Sequence, residues 1–364
     1  MSKQKKILIA MSGGLDSSVS AYLIKNLGYQ CTGVTMKLFE DEDNFSNSQK
    51  TCCSISDVED ARNVANLLDI PYYVFNFKNE FKQKVIKKFI NDYEIGLTPN
   101  PCIDCNRYIK FGKLLEKTQE LDFNYIATGH YARIEYDICS NRYLLKKAID
   151  KTKDQSYFLY SMTQKQLSKT IFPLENLEKT YVKEIARKNN FLNYKKKDSQ
   201  DICFVQNKKY FDFIKNNTKK SYKNGNFIDK NNCILGKHKN HICYTIGQRK
   251  GLGISFKEPL YVVSKKYFNN TITLGIFEEL FSKSLEATNI NLISCENLKT
   301  KIKAKAKIRY NQEEQPCLVE QVEGDKLHVE FEKLQKAITP GQAVVIYQND
   351  IVIGGGTIME FSPN

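Results

Sequence analysis

The chain has 364 residues, a formal net charge of +14 at pH 7, and 41% hydrophobic, 12% aromatic and 26% charged residues. At about 150 residues per domain, this length predicts two or three domains. The balance of apolar and charged residues excludes disordered, collagen-like and coiled-coil proteins. The apolar run at residues 7–11 is too short for a secretory signal or a membrane span. An odd number of cysteines, eleven, favours thiol chemistry or metal ligation in a reducing cytoplasm over a disulfide framework.

Residues 1–205 alternate short apolar runs with amphipathic stretches, a pattern that predicts an α/β domain with a parallel sheet. Buried strands are predicted at residues 7–10, 31–38, 71–77 and 125–128. Ser56 and Glu59 predict a capping box, followed by a helix that packs on the sheet through one apolar face, made of Val58, Ala61, Ala65 and Leu68.

A glycine-rich loop follows the first predicted strand and leads into a predicted helix over residues 19–27. It consists of Ser12, Gly13, Gly14, Leu15, Asp16, Ser17 and Ser18. Two glycines and a helix N-terminus make a nest for a polyphosphate, and the serines offer further hydroxyl donors. Asp16 is a candidate ligand for Mg²⁺ between phosphate oxygens. The loop has no Walker lysine, and it resembles instead the SGGxDS signature of the PP-loop ATP pyrophosphatases, which implies adenylation of a carbonyl oxygen by ATP.

Two cysteines lie in a proline-bounded loop, residues 98–106, ahead of an amphipathic stretch over residues 108–120. We expect Cys105 near a helix start, where the helix dipole favours the thiolate that a nucleophile needs. Cys102 completes a C-x-x-C pair, but a second pair for a four-cysteine zinc site is absent from the sequence. Cys203 follows an acidic, polar turn. Cys52 and Cys53 are interpreted as structural or peripheral.

The chain becomes strongly basic after residue 205. Residues 206–250 contain eleven Lys or Arg residues against two Asp, which predicts a small module that contacts nucleic acid or another polyanion. Within it, His238 and His241 are expected at the surface or facing RNA. The predicted domains are 1–205, 206–280 and 281–364, and the short strands of the last predict a β-barrel.

One strand of the predicted barrel has alternating character. Residues 301–309 place Lys or Arg at every odd position and Ile or Ala at every even position. The apolar face is expected in the barrel core. The basic face fits a phosphate backbone and a solvated exterior equally well.

Seven segments in this order closely resemble the bacterial tRNA-specific 2-thiouridylases. They are SGGLDSS, residues 52–62, TPNPCIDCNRYIKFG, ATGHYAR, KDQSY, DSQDICF and YTIGQRKGLG. The resemblance covers nearly the whole chain and implies a PP-loop domain (HUP-like and Rossmann-like), a small central module and a C-terminal β-barrel.

The resemblance also implies site residues. ATP would be bound by Ala10, Met11, Ser12, Gly13, Gly14, Leu15, Asp16, Ser17, Met36 and Gly129. The target base would enter a pocket formed by Asn100, Pro101 and Cys102. The tRNA would contact His130, Lys153, Asp154, Gln155, Arg309, Tyr310 and Gln342. Cys105 would be the nucleophile, and Cys203 would carry a persulfide.

The implied reaction is 2-thiolation of the wobble uridine in the tRNAs for Lys, Glu and Gln, with the base flipped out of its stack. ATP with Mg²⁺ would adenylate the 2-carbonyl oxygen, and sulfur would arrive from a relay protein or a cysteine desulfurase. We favour the persulfide route. The alternative is an iron–sulfur cluster on Cys102, Cys105 and Cys203, because part of the family has an acidic residue in place of Cys102 and related thiolating enzymes hold a cluster on three cysteines.

Two other functions remain open from the residues. A different PP-loop enzyme, such as an amide-forming or argininosuccinate synthetase, would adenylate its substrate for attack by nitrogen and would need no cysteine pair. An RNA-binding protein with a vestigial ATP loop would bind tRNA without ATP turnover. Both explain fewer of the seven segments than thiolation does.

Overall fold

The computed structural model describes residues 4–39, 55–196, 201–205, 209–322 and 325–363, without the side chains of 360–363. Three sheets organise these residues. Cys52, Cys53, Asp198 and Gln206, where the second predicted domain begins, lie outside the described residues.

The first sheet is parallel, as predicted, with strand order β3-β2-β1-β4-β7. Its strands are β1 (Lys6–Ala10), β2 (Gln30–Lys37), β3 (Tyr72–Asn76), β4 (Tyr125–Thr128) and β7 (Thr170–Ile171). Ile7 and Ile9 join the apolar cluster on one face, whereas Leu8 joins the cluster on the other, because successive side chains of a strand point in opposite directions. Both faces of the sheet are therefore covered.

The prediction that residues 71–77 form a buried strand is wrong in one respect. Strand β3 lies at the edge of the sheet, and Tyr73 is 57% exposed. An apolar run cannot by itself distinguish a central strand from an edge strand, since aromatic and β-branched residues suit both.

Helices flank this sheet. The described α-helices of the first 205 residues are α1 (Leu15–Asn26), α2 (Ile55–Leu67), α3 (Lys78–Phe81), α4 (Lys87–Glu94), α5 (Pro101–Asp104), α6 (Leu114–Glu120), α7 (Ser156–Leu159), α8 (Gln164–Leu167) and α9 (Lys179–Lys188). Ser56 lies inside α2, so it is not the capping residue that was predicted. Ala61 and Ala65 are fully buried, in agreement with the predicted apolar face.

The central module contains the helix α10 (Tyr210–Thr218) and a sheet of order β10-β11-β8-β9. The strands are β8 (Gly225–Ile228), β9 (Ile234–His238), β10 (Tyr261–Lys266) and β11 (Thr271–Gly275). The expectation that its two histidines are exposed is wrong: His238 is 2% and His241 6% exposed. His241 Nε2 lies 3.0 Å from the carbonyl oxygen of Glu94, so this histidine joins the module to the first domain.

The C-terminal strands close into the predicted barrel. They are β12 (Phe281–Leu292), β13 (Ile302–Lys307), β14 (Gln315–Val322), β15 (Lys326–Lys336), β16 (Ala343–Gln348) and β17 (Ile351–Pro363). Pairing of β12 with both β15 and β17 completes the ring. A hairpin of β5 (Ala132–Asp137) and β6 (Arg142–Lys147) extends the barrel through β17, which joins the first domain to the last. Ala306 and Ile308 are buried, as the alternation of residues 301–309 predicts.

Candidate functional site

The glycine-rich loop that is expected to bind phosphate, the nest, joins β1 to α1. Gly13 has φ of +68°, and a Cβ at this position would lie 2.2 Å from the carbonyl oxygen of Asp57, so only glycine fits. Gly14 is the N-cap of α1. The hydroxyls of Ser17 and Ser18 donate to the Gly14 carbonyl oxygen at 3.0 and 2.9 Å. The helix begins at Leu15 and not at the predicted residue 19, so these bonds belong to its first turn.

Asp16 lies in the first turn of α1 and is held by two residues that the sequence analysis did not identify. Lys179 Nζ lies 2.7 Å from each carboxylate oxygen, and the Tyr131 hydroxyl donates to Oδ1 at 2.9 Å. A cation that binds Asp16 would therefore compete with the Lys179 ammonium for the same oxygens.

The other residues expected at ATP lie at the carboxyl ends of the central strands, where ligands of open parallel sheets bind. Met11 N donates to the Val34 carbonyl oxygen at 2.8 Å. A Cβ on Gly129, just after β4, would lie 2.8 Å from the Ser17 amide nitrogen. The structure thus brings Gly129 against the first turn of α1, as the sequence prediction requires.

A second set of polar side chains, which the sequence did not mark as functional, forms hydrogen bonds with the glycine-rich loop itself. Asn193 Nδ2 donates to the Gly13 carbonyl oxygen at 3.0 Å and to Ser18 Oγ at 2.9 Å. Lys196 Nζ also reaches the Gly13 carbonyl oxygen, at 3.3 Å, and pairs with Asp57 and, at 2.8 Å, with Asp60. No local pattern marks these residues, because each is an ordinary polar side chain until the chain folds.

The helix that contains Cys102 and Cys105 begins at Pro101, whereas the sequence predicts an amphipathic stretch only from residue 108. Asn100 is the N-cap, and its side chain accepts a hydrogen bond from the Cys102 amide at 3.2 Å. Pro101 is the first helical residue, and the backbone continues from α5 through a π-helical segment, Cys105–Lys113, into α6. Cys102 therefore lies in the first turn, where the helix dipole acts, and Cys105 lies one turn further on. Cys105 thus lies near the helix start, as predicted, but in the second turn, where the helix dipole acts less strongly than on Cys102.

Cys105 and Cys203 are partly buried and pack against the same apolar cluster. This cluster contains Leu8 of β1 and Phe204, and Ala10 and Met36 pack against it as well. Cys102 is exposed. Within the part of the chain that the structure describes, no three His, Cys, Asp or Glu side chains are arranged to hold one metal ion. Cys105, Cys203, Ala10 and Met36 therefore border one apolar cluster.

The barrel contacts the loop expected to bind the target base. Thr98 N donates to the Pro340 carbonyl oxygen at 2.9 Å, and Gln342 Nε2 donates to the Thr98 carbonyl oxygen at 2.6 Å. A Cβ on Gly341 would lie 2.7 Å from Thr98 N. A cavity of about 90 Å³ lies at this junction; its lining includes Asn100, Asp104, Arg107, Gly341 and Thr357.

Several residues expected at tRNA make internal contacts. His130 is 8% exposed, its Nδ1 lies 2.7 Å from Thr128 Oγ1, and burial, reinforced by Lys110, holds its pKa well below the usual value. Asp154 is also buried; its pKa is raised by burial, and its carboxylate accepts hydrogen bonds from Ala148 N and Ser156 Oγ. Both side chains are therefore held inside the protein by hydrogen bonds and expose little surface.

The remaining residues expected at tRNA are at least partly exposed, in the first domain or in the barrel. Gln155 Oε1 accepts a hydrogen bond from Tyr131 N at 3.0 Å, and Lys153, on the same loop, is partly exposed. The Arg309 guanidinium donates to the Ala337 carbonyl oxygen at 2.6 Å and to Thr339 Oγ1 at 3.0 Å. The ring of Tyr310 lies 4.4 Å from that of Phe158, centroid to centroid.

Comparisons with known proteins cover the whole chain. Family models match residues 5–207 (tRNA methyl transferase HUP domain), 211–276 (tRNA methyl transferase PRC-barrel domain) and 282–358 (aminomethyltransferase β-barrel domain). The chain is 49% identical to the tRNA-specific 2-thiouridylase MnmA of Clostridioides difficile (strain 630), over 98% of this chain and 99% of the relative. It is 50% identical to tRNA-specific 2-thiouridylase MnmA 1 of Thermoanaerobacter pseudethanolicus, with the same coverage.

Among solved structures, the NMN synthetase of Francisella tularensis matches with a TM-score of 0.35 and 15% identity, over 60% of this chain and 79% of that chain. Among the described residues, no helix has the length and apolar character needed to cross a membrane.

Proposed function

The chain belongs to the family of tRNA-specific 2-thiouridylases, and we propose that it replaces the 2-oxygen of the wobble uridine in the tRNAs for Lys, Glu and Gln with sulfur. The observation that supports this proposal is that Cys105, Cys203, Ala10 and Met36 pack against one apolar cluster, which includes Leu8 of the strand that leads into the nest. An enzyme that couples ATP to sulfur transfer needs its thiols at its nucleotide site.

The first step uses the nest. The HUP domain is an ATP-using fold, and the backbone amides at the N-terminus of α1 suit a polyphosphate. The uridine 2-oxygen attacks the α-phosphate, and pyrophosphate departs into the nest. Mg²⁺ would accompany ATP and offset the charge of its phosphates, and Asp16 is the candidate protein ligand for it. Adenylation turns the 2-oxygen into a good leaving group.

The second step uses the two cysteines. The terminal sulfur of a Cys203 persulfide attacks C2 of the adenylated uridine and expels AMP, which leaves Cys203 joined to the base through two sulfur atoms. The Cys105 thiolate then attacks Cys203 Sγ, releases 2-thiouridine and forms a disulfide with Cys203. An external dithiol must reduce this disulfide, and a relay protein or a cysteine desulfurase then transfers sulfane sulfur to Cys203 to restore its persulfide before the next turnover.

Specificity for tRNA is assigned to the junction between the loop at Asn100, Pro101 and Cys102 and the barrel. The target base enters beside Asn100, and Lys153, Gln155, Arg309, Tyr310 and Gln342 lie where the bound tRNA passes. The members of this set that are at least partly exposed contact RNA directly. The buried His130 and Asp154 keep their neighbours in position.

The test is nucleoside mass spectrometry of unmodified tRNA incubated with enzyme, Mg²⁺-ATP and a persulfide donor. We expect 2-thiouridine with the wild type and none with Cys203→Ser. Cys139→Ser, which alters an exposed cysteine between β5 and β6, is the matched control and should retain full activity. Thiolation by Cys203→Ser would refute the persulfide route. Stoichiometric iron in protein purified without oxygen would favour the cluster on Cys102, Cys105 and Cys203 instead.

A further inference from the structure

The phosphate-binding nest has a cation supplied from a distant part of the chain. In a Walker loop a lysine within the loop itself binds the phosphates, and the loop at Ser12–Ser18 has none. Lys179, the first residue of α9, brings an ammonium to this loop, where it lies 2.7 Å from both carboxylate oxygens of Asp16.

The position of Lys179 is fixed from several sides. Its side chain is 9% exposed, and its ammonium also lies 5.8 Å from the centre of the Tyr131 ring. Its backbone N–H donates to Asp150 Oδ2 at 3.0 Å. Asp16, with which it pairs, is 27% exposed at the start of α1, next to the amides of the nest. The ammonium is therefore held at the edge of the nest and not in solvent.

Attachment of α9 does not depend on this ion pair. Val182, Ile185 and Ala186 of α9 are buried in the same apolar cluster as Leu15 and Val19 of α1, so packing already joins the two helices. A buried ion pair adds little net stability compared with such packing, because both charges lose their hydration. The presence of the pair at the nest is better explained by a ligand.

The expected ligand carries several negative charges. ATP in the nest would place phosphate oxygens near the Asp16 carboxylate, and like charges repel strongly where water is partly excluded. An ammonium beside Asp16 removes this repulsion and donates charge-assisted hydrogen bonds to phosphate. Pyrophosphate, which gains charge as it leaves, has the greatest need of such a group.

We propose that Lys179 is the phosphate-binding lysine of this enzyme, held at the nest by Asp16 and Tyr131. It binds the phosphates of ATP and stabilises the departing pyrophosphate. This inference rests on the ATP use included in the proposed function, but on neither the tRNA substrate nor the sulfur chemistry.

The test measures equilibrium binding of ATP, pyrophosphate and adenosine to the full chain by calorimetry. Lys179→Gln should weaken ATP and pyrophosphate binding by about 10- to 100-fold, the usual effect of losing a charged hydrogen bond, and leave adenosine binding unchanged. Lys188→Gln, at the exposed end of the same helix, is the control and should bind all three ligands like the wild type.

A second variant separates direct phosphate binding by Lys179 from its neutralisation of Asp16. Lys179→Gln leaves Asp16 without its cation, whereas Lys179→Gln combined with Asp16→Asn removes both charges. The proposal requires the double variant to remain weak for pyrophosphate. Recovery of pyrophosphate binding in the double variant, unchanged binding in the single variant, or an equal loss of adenosine binding would each overturn it. The assay contains neither tRNA nor sulfur donor, so failure of thiolation with these binding results intact would refute only the proposed function.

Discussion

Gln342 in the barrel donates a hydrogen bond of 2.6 Å from Nε2 to the carbonyl oxygen of Thr98, just ahead of the helix that carries Cys102 and Cys105. The neighbouring Pro340 carbonyl oxygen accepts from Thr98 N. The last domain thus holds the loop from which the cysteine helix begins. A contact far from the nest can therefore affect the chemistry at the thiols.

Gln342→Ala should slow thiolation, because the loop at Thr98 loses a hydrogen bond to the barrel. Loss of one neutral hydrogen bond costs about 1 kcal/mol, which corresponds to a turnover decrease of about fivefold if the loop must keep this position for reaction. The measurement is the single-turnover rate of 2-thiouridine formation at saturating tRNA. Gln348→Ala, at the exposed end of β16, is the control. Equal rates for both variants would contradict the role given to the Gln342 contact.

Gly13→Ala should abolish ATP binding. The new Cβ would lie 2.2 Å from the Asp57 carbonyl oxygen in a backbone conformation with φ of +68°. We expect a loss of about 3 kcal/mol or more in the free energy of unfolding. Gly28→Ala is the matched control, because Gly28 has φ of +81° but no atom within 4 Å of the new Cβ. It should cost only about 1 kcal/mol. Urea denaturation of both variants measures the difference.

Cys102→Asp should retain thiolation, whereas Cys105→Ser should lose it. Cys102 is exposed in the first turn of its helix, where a carboxylate is also favoured. An iron–sulfur cluster on Cys102, Cys105 and Cys203 would lose one of its three thiolate ligands in Cys102→Asp. The measurement is 2-thiouridine yield together with iron content. An inactive Cys102→Asp variant that loses bound iron would support the cluster.

Replacing His130 should make stability less sensitive to acid. Burial, with Lys110 as the smaller cause, keeps the pKa of His130 well below 6.5 in the folded chain. The unfolded chain therefore binds a proton near pH 6.5 that the folded chain does not, and stability falls as the pH drops below that value. His130→Gln should show a smaller fall than the wild type between pH 7 and 5.5 in urea denaturation. His328→Gln, in β15, is the control. Identical profiles for His130→Gln and the wild type would contradict this assignment.

Local patterns in the sequence determine much of the fold. The strands β1, β2 and β4 follow from short apolar runs, and the nest follows from Gly13 and Gly14 between a strand and a helix. The alternation of residues 301–309 places Ala306 and Ile308 in the barrel core. These features depend on residues close together in sequence, where backbone geometry and side-chain periodicity act directly. The site residues expected from the family resemblance extend these local patterns, and their roles stay predictions.

Contacts between distant residues were decided only by the tertiary structure. The pairing of Lys179 with Asp16, the clamp of Asn193 and Lys196 on Gly13, and the burial of His238 and His241 have no local signature. A lysine or histidine looks alike in sequence whether it faces solvent or an opposite charge, because its environment comes from other segments of the chain. Sequence therefore identified the chemistry of this protein, whereas the fold determined which charges, carbonyls and apolar side chains surround it.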